Sequence, residues 1–196
     1  MAYELFLIAA ADTDATTTIA RLTNVLATAA PSVLLIPTGD RDDDTYANHV
    51  ETILPYAQRA GCAVLLDNRP ELVRTLGADG VHMTGGIKAL AEAVGDLKPD
   101  FIVGTGDIGT RHEAMVRGEM DIDYLMFGDR DDTDGAAMAN WWAETFEIPS
   151  VYRAASPGDP ALADIRTEFI ALSGPDWEDP AKLKAIKGRG PVNTYG

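Results

Sequence analysis

A compact (β/α)8 barrel, the TIM barrel, is the fold class that this sequence predicts. Three observations lead there. Short apolar runs alternate with amphipathic stretches eight times along the chain, the pattern of β–α units in one parallel sheet. The runs are apolar nearly throughout rather than at every second residue, as strands covered on both faces are. A length of 196 residues suits eight short units, near the low end of about 200 for a closed barrel. An open doubly wound sheet is the structural alternative, and it would lose the weak seventh and eighth units.

The elements follow in order. Residues 3–9 form a β-prone run, and 15–30 a helix with Asp14 as its N-cap. The second unit pairs 32–37 with 45–60. The third pairs 62–66 with a short helix over 70–76, whose opening Pro70 suits a first turn. Units four to six pair 80–83 with 87–94, 101–103 with 111–118, and 124–127 with 136–146. The seventh pairs 150–152 with a weak helix over 161–165, and the eighth pairs 169–172 with 179–186. Residues 1–187 therefore read as one barrel domain. The stretch 188–196, with three glycines and a proline, reads as a flexible tail.

Composition narrows the function. Hydrophobic residues make up 46% of the chain, which argues against disorder. Sixteen Lys and Arg stand against 31 Asp and Glu, for a net charge of −15. That balance disfavours nucleic acid, whose phosphates need clustered positive charge. The single cysteine, Cys62, precludes an intrachain disulfide and fits a reducing compartment. No apolar run approaches the ~20 residues that cross a bilayer, so no membrane association is expected. The first apolar run has no basic flank before it, so no signal peptide is expected and the cytoplasm is the predicted location. With three histidines and one cysteine a zinc cluster is not expected. His49 and His112 fall in predicted helices and read as surface residues. Trp141 and Trp142 share a helix, where one should pack on the barrel and an exposed neighbour would suit a homo-oligomer contact.

In such a barrel chemistry sits where the strands end at their C-terminal side. The sequence Gly-Asp-Arg-Asp-Asp stands there twice, at 39–43 and 128–132. One reading holds Mg²⁺ on these carboxylates, Asp129 among them, with Arg41 and Arg130 gripping phosphate oxygens. The other makes the aspartates helix caps, since each segment precedes a predicted helix. Asp67-Asn68-Arg69 ends the third run. There Asp67 either holds a divalent ion, with Asn68 and Arg69 touching substrate, or pairs locally with Arg69 or caps the next helix. Gly104-Thr105-Gly106 lacks the remainder of a nucleotide-binding fingerprint and suits a tight turn. His82 ends the fourth run and reads more readily as a packed histidine than as a catalyst. Arg153 and Ser173 follow the seventh and eighth runs.

Several segments carry a family resemblance. Leu65-Leu66-Asp67-Asn68-Arg69-Pro70-Glu71-Leu72, followed by Leu76-Gly77-Ala78-Asp79-Gly80-Val81-His82-Met83, resembles the thiamine phosphate synthase family with its TenI-type thiazole tautomerase branch. Asp123-Tyr124-Leu125-Met126-Phe127-Gly128 is similar to that family's sixth strand, and Ile148-Pro149-Ser150-Val151 to its seventh. The resemblance implies a barrel that couples a pyrimidine diphosphate to a thiazole phosphate, releases pyrophosphate, and uses Mg²⁺ on the diphosphate. It implies Asp67 as a metal ligand, and Arg41, Asn68, Arg69 and Ser173 near substrate phosphates.

The chain also departs from the family pattern. No Gln-x-Arg-x-Lys follows the second strand. The Asn-Asp pair is reversed as Asp67-Asn68. Thr84-Gly85-Gly86-Ile87 replaces Gly-Gln-(Asp/Glu)-Asp, and the acidic loop replaces Pro-Thr-x-Thr-Lys. Arg153-Ala154-Ala155 stands where the family has a Gly-Gly-Ile phosphate loop, while Leu172-Ser173-Gly174 keeps the last phosphate loop. Arg130 and Arg153 could restore lost phosphate contacts. A small phosphorylated metabolite is the expected partner. The alternatives to a synthase are a non-catalytic barrel that senses a thiamine precursor or other phosphorylated metabolite, and a TenI-type tautomerase using His82.

Overall fold

The computed structural model describes residues 2–129 and 134–188. Eight parallel strands close into a barrel in sequence order: β1 (Glu4–Ile8), β2 (Val33–Ile36), β3 (Ala63–Asp67), β4 (Gly80–Met83), β5 (Ile102–Thr105), β6 (Tyr124–Phe127), β7 (Ser150–Arg153) and β8 (Phe169–Ser173). The closed barrel is the architecture expected from the eight alternations, and β8 pairs with β1 from Glu4↔Phe169 to Ile8↔Ser173. The weak seventh and eighth units both supply strands, so no open sheet forms.

Helices follow the strands as α1 (Ala15–Ala29), α2 (Asp43–Arg59), α3 (Val73–Leu76), α4 (Ile87–Leu97), α5 (Arg111–Gly118), α6 (Gly135–Thr145) and α7 (Pro180–Lys187). The weak helix expected over 161–165 is a single 3-10 turn, Pro160–Ala163. Among the described residues, four α-helices begin on aspartate caps. Asp14 accepts from the Thr17 N–H at 2.9 Å, Asp42 from Thr45 at 2.8 Å, Asp134 from Ala137 at 3.1 Å and Asp179 from Lys182 at 3.2 Å, each worth about 1 kcal/mol. Capping thus accounts for Asp42 of the first acidic segment; Asp134 lies two residues past the second, whose positions 130–132 are outside the described residues.

Two apolar clusters divide the interior. The larger lies between strands and helices and takes the outward strand residues, such as Leu7, Leu34, Leu66 and Phe127. The smaller fills the barrel with Phe6, Ile8, Leu35, Leu65, Tyr124, Met126, Val151 and Ala171. Strand residues that looked uniformly apolar are therefore sorted by period two into two different cores. His49 corrects an expectation. It lies on the inner face of α2 with Tyr46, Val50 and Ile53 and is buried, whereas His112 is exposed. Trp142 is buried against Phe146 and Phe127, and Trp141 packs edge-on against both Trp142 and Phe146.

Glycine decides how Tyr124 sits inside the barrel. A Cβ on Gly104 would lie 2.0 Å from Cε1 and Cζ of the Tyr124 ring, which leans across β5 at that point. Gly104→Ala should therefore cost about 1–3 kcal/mol, the usual range for overpacking a filled core. Urea unfolding checks this: a midpoint equal to that of the parent chain would show that Tyr124 has room to move aside.

Candidate active site at the C-terminal mouth

The inward stripe of residues changes character at the C-terminal end of four strands. Leu65 is followed two residues on by Asp67, Gly80 by His82, Val151 by Arg153 and Ala171 by Ser173. Period two keeps each pair on the same face, so a polar ring crowns an apolar interior. These side chains and Asp129, which follows β6 through Gly128 at φ +89°, line one cavity of about 440 Å³ with Ala9–Asp12 and Gly174. Asp67, Arg153 and Ser173, expected just beyond their strands, are in fact the last strand residues.

Each group is held by identifiable partners. Asp67 accepts the Thr38 N–H on Oδ2 at 3.0 Å and the Asn68 amide on Oδ1 at 2.8 Å. It neither pairs with Arg69 nor caps the following turn. Arg153 donates to the Ser173 hydroxyl at 3.1 Å. His82 shares a hydrogen bond of 2.7 Å between Nδ1 and the Tyr124 hydroxyl, and the two rings stack 5.7 Å apart. Burial, then the charges of Arg153 and Arg117, press the imidazole down to about 3, so it is neutral at physiological pH. Burial of the Tyr124 ring pushes its hydroxyl well above the ordinary range.

Asp129 is the least compensated group. Its Oδ2 accepts the Asp107 N–H, while Oδ1 is buried with no hydrogen-bond partner among the described residues. Burial raises its carboxyl above the usual carboxylate range, partly offset by the Asp107 N–H and by Arg153. Gly106 makes the approach possible, since a Cβ there would meet Asp129 Oδ2 at 2.5 Å and His82 Nε2 at 2.8 Å. A buried polar atom left without a partner costs roughly 1–3 kcal/mol unless a ligand supplies one.

Other residues expected at the site face elsewhere. The Arg41 guanidinium donates to the carbonyls of Ala11 (2.7 Å) and Thr13 (2.6 Å) and so ties the β1 loop to the β2 loop. Asn68, at φ +52°, bridges Asp67 to Thr84 and stitches β3 to β4. Arg69 pairs with Asp43 at 2.9 Å on the helix side. Arg130 lies outside the described residues. Among the described residues that line the cavity, Arg153 carries the positive charge. Tyr124 and the Ala9–Asp12 loop were not singled out from sequence. Tyr124 was legible in principle, being in phase with inward Met126, whereas a run of alanines carries no such signal.

The donor set bears on a metal. No group of three or more His, Cys, Asp or Glu is placed to hold an ion among the described residues. Asp12, Asp67 and Asp129 line one cavity; Asp67 and Asp129, the latter with a buried oxygen lacking a partner among the described residues, still fit Mg²⁺, which takes one or two carboxylates and completes its shell with phosphate oxygens and water.

Sequence comparison leads to one family. The family model for thiamine monophosphate synthase matches residues 5–152. A thiamine-phosphate synthase of Rhodospirillum centenum is 32% identical over 152 residues, covering 72% of this chain and 73% of that protein. Another, from Erythrobacter litoralis, is 30% identical over 127 residues, 59% of this chain and 60% of that protein. Among solved structures, a thiamine phosphate pyrophosphorylase from Pyrococcus furiosus superposes with a TM-score of 0.78 over 94% of both chains at 14% identity. A 4-hydroxy-2-oxoglutarate aldolase superposes at 0.67 over 94% of this chain at 15% identity. At such identities the likeness is one of fold, which many activities share.

His82 also sets a pH dependence. Its folded value, about 3, lies below the ordinary 6.5. The unfolded chain therefore takes up a proton first as pH falls, and stability from this group is full above about 6.5 and drains away toward about 3. The loss should amount to a few kcal/mol at the acid end, at 1.36 kcal/mol per pH unit of difference. Urea midpoints measured from neutral pH downward should fall for the parent chain and fall less steeply for His82→Gln. Parallel curves for the two chains would show that His82 is not buried as a neutral ring.

Proposed function

The chain belongs to the thiamine monophosphate synthase family, and from that premise we propose that it couples a pyrimidine diphosphate with a thiazole phosphate and releases pyrophosphate. The observation that carries the reading is the convergence of Asp67, Asp129, Arg153 and Ser173 on one cavity at the barrel mouth. Arg153 and Ser173 would take phosphate oxygens, the guanidinium offering paired N–H groups and the hydroxyl a donor already in its plane of reach. Asp67 and Asp129 would hold Mg²⁺, which supplies charge neutralisation on the diphosphate as it leaves. The negative charge of these carboxylates, little screened at a half-buried rim, would stabilise positive charge that develops on the pyrimidine methylene as the bond to the diphosphate breaks. The apolar floor of Ile8, Leu35 and Met126 would hold the rings and keep water from the cation. His82, neutral and hydrogen-bonded to Tyr124, would form part of the wall.

One observation favours a second reading. Arg41 and Arg69 are committed to carbonyls and to Asp43, which leaves Arg153 to meet the anionic ligand among the described lining residues. A single cation suits one phosphate better than two, and supports a barrel that binds a phosphorylated thiamine precursor without turning it over. The tautomerase reading asks His82 to move protons, and a ring held near 3 is a poor base at neutral pH.

The test is pyrophosphate release on incubating the chain with both substrates and Mg²⁺. Turnover is expected, with Arg153→Ala slower by roughly 10- to 100-fold, as loss of a charged hydrogen bond of about 1.5–3 kcal/mol implies. Absence of release at high protein concentration, together with calorimetric binding of the thiazole phosphate, would replace the synthase reading with the binding barrel.

A further inference from the structure

A second cavity, of about 180 Å³, lies at the opposite, N-terminal end of the barrel and shares no lining residue with the mouth. We infer that it is a binding site for a small uncharged apolar ring molecule, of the size of benzene or toluene. Its walls are the side chains of Phe6, Leu65, Ile102, Tyr124, Val151 and Phe169, all on the inner face of the strands. Phe6 and Tyr124 stand edge to face there, with centroids 5.5 Å apart.

The polar groups nearby have nothing to offer a polar guest. The Tyr124 hydroxyl points up the barrel, where it is engaged with His82 at 2.7 Å. Asp123 spends one carboxylate oxygen on Lys98 at 2.7 Å and the other on the Val103 N–H at 2.7 Å. Pro149, also in the lining, has no N–H. Water in such a space lacks the two to four partners that hold it, so an apolar guest of benzene's size displaces it at little cost. The size fits such a guest, and a charged or phosphorylated molecule would have to shed its hydration with no compensating partner. Access is open, since Val33, Ile102 and Phe169 at the lower rim are only partly buried. The cavity keeps its shape because Tyr124 is laid across Gly104, where a side chain would displace the ring.

This site is independent of the function proposed for the mouth, and its test is separate. Benzene is titrated into the methyl-labelled chain and followed by NMR, with inorganic phosphate added afterwards. Saturable, one-to-one shifts are expected at the methyls of Val33, Leu65, Ile102 and Val151, unaffected by phosphate. Shifts that never saturate, that centre on Leu35 and Met126 at the mouth, or that do not occur at all would overturn the proposal. Val33→Phe fills the rim and should weaken benzene by roughly tenfold or more, since a filled cavity has no room for a guest. Undiminished binding to that folded variant would contradict the assignment. Val151→Ala enlarges the space without adding a polar group, and should favour naphthalene over benzene relative to the parent chain. An unchanged ranking would likewise contradict it.

Discussion

Closure of the sheet is the constraint on which the molecule depends. Once β8 pairs with β1, every strand has an inside and an outside, and period two assigns each residue to one of them. Outward residues meet helices and form the larger core; inward residues have only each other. At the top of the barrel the inward stripe has no further layer above it. A polar residue at that point of β3, β7 or β8 therefore borders the mouth cavity at the rim of an apolar interior, with His82 of β4 buried at its wall. The mouth cavity follows from closure and alternation together, with no loop rearrangement required.

The electrostatics of this rim explain why stability and chemistry pull apart there. Among the described residues, Asp129 holds a carboxylate oxygen without a partner beside a neutral imidazole and one guanidinium. A fold selected only for stability would place an amide or apolar group at that position. The surrounding structure supports the arrangement through backbone devices: Gly106 lets His82 and Asp129 approach, and Gly128 turns the chain after β6 at positive φ. Arg153 offsets two acidic neighbours, Asp129 and Asp176, whose carboxyls burial raises. An anionic ligand carrying its own cation would satisfy both signs at once.

Much of this was legible in the residue order. Apolar runs located all eight strands, and Asp, Arg and Ser at the ends of runs three, seven and eight sit on the shared cavity. Phase was harder to read once a strand had ended. Asn68 adopts φ +52°, which breaks the alternation, so Asn68 and Arg69 turn toward β4 and α2 although they follow Asp67 directly. Arg41 looked like a phosphate clamp by its charge, yet the carbonyls of Ala11 and Thr13 in the loop after β1 claim it. The two Gly-Asp-Arg-Asp-Asp segments look alike and serve differently: the first supplies a cap in Asp42 and an ion pair in Asp43, while the second sends Asp129 into the cavity. His49 was misplaced because its own polarity suggested the surface, although Tyr46, Val50 and Ile53 at helical spacing mark its face as the one that packs inward.

A crystal structure of the chain with Mg²⁺ and pyrophosphate tests the shared cavity most directly. The anion is expected in the mouth, with oxygens on Arg153 and Ser173 and the cation between it and the carboxylates of Asp67 and Asp129. Density for the pair at any other surface, with those four side chains untouched, would contradict it.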